Sequence, residues 1–183
     1  MPGPVFLEAD AVTLRPVEAA DVEFVQRCMN DPRVWRPALD ATPMNREQGT
    51  EFFEDVLSDE DHVHCLIWDG DAPVGVVSLT GTEYGPGATD RSRAAEIGYY
   101  VAPEHHGNGY GSDAVAELVR YAFEDLNLRR ASARVGAFND ASIGLLESLG
   151  FEREGRLREA AWFRGEYRDM LWYGLLRADW RTE

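Results

Sequence analysis

His106-Gly107-Asn108-Gly109-Tyr110-Gly111 follows a strand-like stretch, Ala94 to Val101, and opens a stretch of helical spacing from about Ser112. Glycine lets backbone N–H groups approach an anion because no Cβ stands in the way. The first turn of a helix adds unpaired N–H groups and the positive end of its dipole. Strand, glycine turn and helix start together form a diphosphate cradle that needs no lysine. Three phosphate-binding patterns compete for these residues. A P-loop closes on Gly-Lys-Ser/Thr, which does not occur here. A dinucleotide fingerprint asks for GxGxxG near the start of a βαβ unit, and Ser112 occupies the third glycine position. The (Gln/Arg)-x-x-Gly-x-(Gly/Ala) coenzyme A loop fits with His106 first and Gly109 and Gly111 in the other places. A glycine turn with no ligand is the plain alternative for this stretch taken alone.

Outward from the turn, Val115, Leu118, Val119, Ala122 and Phe123 recur at helical spacing, which predicts an amphipathic helix over 112–125. A strand over 131–135 follows. A helix over 139–149 is capped by Asn139 or Asp140 and stopped by Gly150. Strands over 151–157 and 170–176 flank a loop over 162–169. Upstream, the pattern gives a strand over 12–15 and a helix over 18–29. The proline-broken segment 30–43 reads as a loop or broken helix, and a helix follows over 46–57. Strands over 64–68 and 74–81 are joined by the turn Asp69-Gly70-Asp71, and a Gly/Pro-rich loop covers Tyr84 to Asp90. This alternation argues for an α/β fold, a mixed sheet covered by helices.

The chain has 183 residues, 44% of them hydrophobic and 28% charged, the size and profile of one globular domain. No apolar run reaches the roughly 20 residues that span a bilayer. Met1 to Asp10 lacks the basic and apolar regions of a signal peptide, so the cytoplasm is expected and no membrane association. The net charge of −15 disfavours nucleic acid and favours cationic partners, with solubility or adaptation to salt as the plain alternative. Cys28 and Cys65 have no CxxC spacing. His62 and His64 precede Cys65 but lack a fourth ligand, so no metal is expected.

The stretches together resemble the GNAT acyltransferase superfamily. Ala95 to Val101, then Pro103-Glu104 and the glycine turn, look like its motif A, and Asn139 to Phe151 looks like its motif B. Glu154 to Arg158, Gly165 to Asp169, Trp180 and the opening Val12 to Pro16 are similar to the RimJ/RimL branch, which acetylates ribosomal-protein N-termini. The resemblance covers nearly the whole chain. It implies a single GNAT-type domain over 1–183, with a central, mostly antiparallel splayed sheet flanked by helices. It also implies an N-acyltransferase that moves an acetyl or similar short acyl group from acetyl-CoA, or another short acyl-CoA, to a primary amine. The acceptor is a protein N-terminus or a small molecule, attacked directly in a ternary complex without metal. A homodimer is expected. The alternative from a different class is a non-catalytic acyl-CoA-binding regulatory module. His106 is a departure, because Arg or Gln usually stands there, and it removes one charge contact.

The resemblance assigns residue roles. Backbone groups at Tyr99, Tyr100 and Val101 pair with pantetheine and can polarise the thioester. His106, Gly107, Asn108, Gly109, Tyr110, Gly111 and Ser112 hold the pyrophosphate, and Asn139 faces the coenzyme or caps its helix. Ser142 protonates the departing thiolate in this branch, or is a capping serine. Leu145 and Leu146 stand where many relatives carry a tyrosine acid. Glu96 takes the amine proton directly or through water, or is a structural carboxylate paired across the sheet. Trp35, Trp162 and Tyr167, with Phe163, line an acceptor pocket or cover the core. Glu83, Asp90 and Glu159 are carboxylates with no ranking among them.

Overall fold

Three runs of the chain, 3–40, 42–81 and 93–180, are described by the structure, a computed structural model. The loop from Tyr84 to Asp90, with the carboxylates Glu83 and Asp90, lies outside the described residues. The chain divides into two compact units, Met1–Leu79 with Tyr99–Leu118, and Thr80–Gly98 with Val119–Glu183.

In the first unit, β1 (Leu7–Glu8), β2 (Thr13–Pro16), β3 (Val63–Trp68) and β4 (Pro73–Gly81) pair antiparallel in that order. The end of β5 (Ala94–Val101) lies beside the start of β4, where the Ala102 N–H donates to the Val74 carbonyl at 2.7 Å. That approach requires Gly75, because a Cβ there would stand 2.4 Å from the Tyr100 carbonyl oxygen. Cys65, Leu66 and Ile67 are buried in succession, the mark of a strand covered on both faces. One cover is α1 (Val22–Met29), whose Phe24, Val25 and Cys28 pack with Val17, Leu66, Val76 and Ala102.

The segment 30–43 holds a helix, α2 (Pro32–Ala38). Asp31 caps it by accepting from the Arg33 N–H, and Pro32 stands at the first position, where no N–H is needed. The helix expected over 46–57 forms as α3 (Arg46–Phe52) and continues as a π-helical turn, Phe53–Leu57. A 3₁₀ turn, Pro103–His105, leads to α4 (Tyr110–Glu124), which starts two residues before the sequence expectation because its first turn is built from the glycine stretch itself. Ala114, Val115 and Leu118 are its buried face in this unit.

In the second unit β5 runs parallel to β6 (Arg130–Gly136), the arrangement that a helical crossover allows. Their ladder covers Ala94↔Arg130 to Glu96↔Ser132, whereas β6 pairs with β8 (Glu166–Leu176) as far as Gly136↔Met170. β5 thus leaves β6 at Ile97, which is the expected splay. β8 pairs antiparallel with β7 (Glu152–Phe163) at the edge. The strands form a mixed, mostly antiparallel sheet with helices packed on it, as the sequence predicts. α5 (Asp140–Ser148) ends at Gly150, whose φ is +84°.

One expectation is overturned in this unit. The loop expected over 162–169 is instead the tip of a long hairpin, and Trp162, Phe163 and Tyr167 lie on strands. Arg164 and Gly165 turn it with φ of +51° and +91°, a two-residue turn whose left-handed backbone matches the strand twist. Arginine is an uncommon residue in that conformation, so the sequence gives a weak turn signal.

Candidate active site

The glycine stretch lies in the first unit. Gly107 and Gly109 have φ of +84° and +80°, and among the described residues a Cβ on either would meet nothing within 4 Å. Both glycines therefore answer a backbone conformation, with open space where a side chain would stand. Gly111 is buried within α4, and Tyr110 and Ser112 are half-buried beside it. The first intrahelical bond runs from the Asp113 N–H to the Gly109 carbonyl at 3.0 Å, so the N–H groups before it are orphans of the helix start.

Asp113 in that first turn would repel an anion if its charge were free. Its carboxylate instead accepts from the N–H groups of Asp10, Ala11 and Val12 at 3.3, 2.7 and 3.0 Å. Sequence reasoning passed over Asp113, and its place in the first helical turn was the available signal.

The His106 ring engages the Val101 carbonyl through Nε2 at 2.9 Å. An imidazole at this position thus ties the turn to the end of β5, a contact with one of the backbone groups expected to meet pantetheine. Asn108 Nδ2 donates to the His105 carbonyl at 3.2 Å, bracing the turn from within. Tyr99 is half-buried. The Tyr100 hydroxyl is buried and has no hydrogen-bond partner among the described residues, and burial pushes its pKa up. At the start of α2, Arg33 holds the Asp31 carboxyl down to about 2 through a 2.7 Å ion pair. Trp35 lies half-buried on α2, with the Arg36 guanidinium 5.1 Å from its ring centre.

Cys28 and Cys65 are buried in this unit, and burial pushes their thiols up to about 11 and about 12. His62 pairs with Asp59 at 3.3 Å.

The remaining candidates lie in the second unit. Glu96 Oε1 accepts from Arg134 Nε at 2.7 Å, and the glutamate side chain is 14% exposed. The structural pairing is therefore present, and it engages one oxygen while leaving Oε2 without a hydrogen bond among the described residues. Arg134 stands on β6 opposite Trp172 and lies 5.9 Å from that ring. Only the strand register reveals it as the partner of Glu96.

Asn139 is the α5 cap: its Oδ1 accepts from the Ser142 N–H at 3.2 Å. This fixes Ser142, half-buried, in the first turn of α5. Phe138, just before the cap, stacks on Phe163 of the hairpin with ring centres 3.8 Å apart. Trp162 and Tyr167 face each other across the hairpin at 4.9 Å and are 61% and 63% exposed, so they do not cover the core. Asp169 accepts from the Glu159 N–H at 2.7 Å and pairs with Arg156, contacts that hold its carboxyl below the usual range. Glu159 itself sits in the β7 irregularity with φ of +52°.

The elements therefore bring together two groups, the turn with the end of β5 in one unit, and Asn139 with Ser142 in the other. Residues 11–152 match the family described as "Acetyltransferase (GNAT) domain". The chain is 34% identical over 118 residues to "Putative ribosomal N-acetyltransferase YdaF" of Bacillus subtilis (strain 168), a match spanning 64% of this chain and 61% of that protein. It is 30% identical over 171 residues to "Uncharacterized N-acetyltransferase YoaA" of the same organism, spanning 93% of this chain and 96% of that one. Its fold matches a crystal structure of spermidine N-acetyltransferase from Vibrio cholerae in complex with CoA and spermine, with TM-score 0.83 and 24% identity over 92% of this chain and 97% of that chain.

Proposed function

The chain belongs to the acetyltransferase (GNAT) domain family and is an N-acetyltransferase with an acyl-coenzyme A cosubstrate, and on that premise we propose how it works and on what. The acceptor is a primary amine, on a protein N-terminus or a small molecule such as a polyamine. The observation that carries the reading is the pair Gly107 and Gly109, both left-handed and open above, at the start of a 15-residue helix. A pyrophosphate fits such a place because N–H groups and the helix dipole meet it without a cation.

The amine nitrogen attacks the thioester carbonyl carbon, the C–S bond breaks, and coenzyme A leaves as a thiolate. Ser142, held at the helix start by the Asn139 cap, passes its hydroxyl proton to that sulfur as it takes one from water. The amine proton goes to Glu96, directly or through water. The engagement of Oε1 by Arg134 supports Oε2 as the receiving atom. Backbone groups of Tyr99 to Val101 meet the pantetheine arm. Tyr110, Gly111 and Ser112, with His106 to Gly109, hold the pyrophosphate. Trp35, Trp162 and Tyr167 contact the acceptor, a role that the exposure of the last two supports. Residues 1–183 act as one domain of the RimJ/RimL-like branch, as a cytoplasmic homodimer.

Thiol release from acetyl-CoA, measured over a panel of polyamines, amino acids and peptides with free N-termini, tests the reading. Turnover is expected on at least one amine class. Tight coenzyme A binding with no turnover on any acceptor would instead indicate a binding module.

A further inference from the structure

A groove of ≈ 610 Å³ in the first unit is lined by Glu23, Phe24, Arg27 and Asn30 from α1, by Pro73 and by His105. Glu23 and Arg27 stand at i and i+4 with the acid N-terminal, the order in which a helical ion pair ordinarily closes. Here it does not close. The Arg27 guanidinium lies 5.4 Å from the Phe24 ring centre, and the Glu23 carboxylate has no hydrogen bond or ion pair among the described residues. Both residues line the same groove, and neither has an ion-pair partner among the described residues.

The wall between them is fixed. Asn30 Nδ2 donates to the carbonyls of Gln26 and Met44 at 2.9 and 2.8 Å, and its Oδ1 accepts from the Met44 N–H at 3.0 Å. Gln26 Nε2 donates to the same Met44 carbonyl at 3.1 Å. The ring of His105, whose nearest aromatic neighbour is Tyr110 at 6.3 Å, adds an imidazole with no protein hydrogen bond among the described residues. Phe24 and Pro73 supply apolar surface.

We propose that this groove binds a free α-amino acid with an apolar side chain. Glu23 receives the ammonium, Arg27 and His105 receive the carboxylate, and Phe24 and Pro73 contact the side chain. A cation alone would leave Arg27 unmet and an anion alone would leave Glu23 unmet, so a zwitterion of this size is the ligand that satisfies both. The groove adjoins the glycine turn, because His105 directly precedes His106, but the proposal does not depend on the acyl-transfer reading.

Titration calorimetry of the full chain with L-leucine, L-leucinamide and N-acetyl-L-leucine tests it. Leucine is expected to bind at least about tenfold more tightly than either analogue, since each analogue forfeits one charge-assisted contact. Glu23→Gln is expected to weaken leucine binding at least about tenfold, to the level of N-acetyl-leucine, and Arg27→Gln to weaken it to the level of leucinamide. Both positions are exposed on α1, and a melting curve shows that each variant is folded. Absence of leucine binding, equal binding of the three compounds, or leucine binding that survives both substitutions would overturn the proposal.

Discussion

Replacing Gly109 with alanine separates backbone strain from ligand exclusion. Gly109 has φ of +80°, so an alanine there pays the left-handed cost of about 1–2 kcal/mol. No atom of the described residues lies within 4 Å of the new Cβ, so no packing clash adds to it. For a domain of this size each kcal/mol lowers Tm by about 2–4 °C. Gly165 is the matched control, with φ of +91° and equally open space, but on the hairpin turn. Gly165→Ala should therefore cost a similar amount of stability. The variants should part on coenzyme A. If the pyrophosphate rests on this turn, the Gly109→Ala methyl crowds it, and affinity should fall more than about tenfold, which is 1.4 kcal/mol. Gly165→Ala should bind as the parent does. Calorimetric titration with coenzyme A, alongside melting curves, reads both effects. If Gly109→Ala kept full affinity, or Gly165→Ala lost as much, the cradle at residues 106–112 would not hold the pyrophosphate.

Ser142→Ala should lower turnover more than tenfold with little change in coenzyme A affinity, on the general-acid scale of about 10² to 10⁴; unchanged saturating turnover would remove Ser142 as the acid. Tyr100→Phe should leave Tm unchanged or raise it, because the hydroxyl it removes is buried with no partner among the described residues, a state that costs about 1–3 kcal/mol; a clear fall in Tm would reveal a contact that the hydroxyl makes. The buried thiols of Cys28 and Cys65 should resist a disulfide reagent at pH 8 in the native protein and both react once it is unfolded. Their pKa values are raised in the folded state, so their contribution to stability is complete below the ordinary thiol value of 9.0 and is lost as pH rises through about 11 to about 12. Alkaline melting curves that stay flat across that window would contradict their burial.

The elements around the glycine turn were legible because each carries its own local signal. The strand pattern over 94–101 coincides with the observed bounds, and the α5 cap and stop at Asn139 and Gly150 follow from side-chain and backbone preferences within a few residues. The hairpin tip carries no comparable local signal, because Arg164 adopts a conformation that sequence associates with Asn, Asp or Gly. α2 was blurred by its prolines. Pro32 suits a helix start, but Pro37 inside the same short helix suggests a break.

Local chemistry in the chain determined the order of strands and helices, the glycine turn at 106–112 and the family to which these motifs point. Tertiary structure alone decided that Glu96 is shared with Arg134, that Asp113 spends its charge on the amides of residues 10–12, and that the Glu23–Arg27 pair stays open. The reason is physical. Turns, caps and periodicity act over a few residues and are written in neighbouring letters. Charge partnership depends on strand register and packing, which join residues such as Asp113 and Ala11 that stand 102 positions apart.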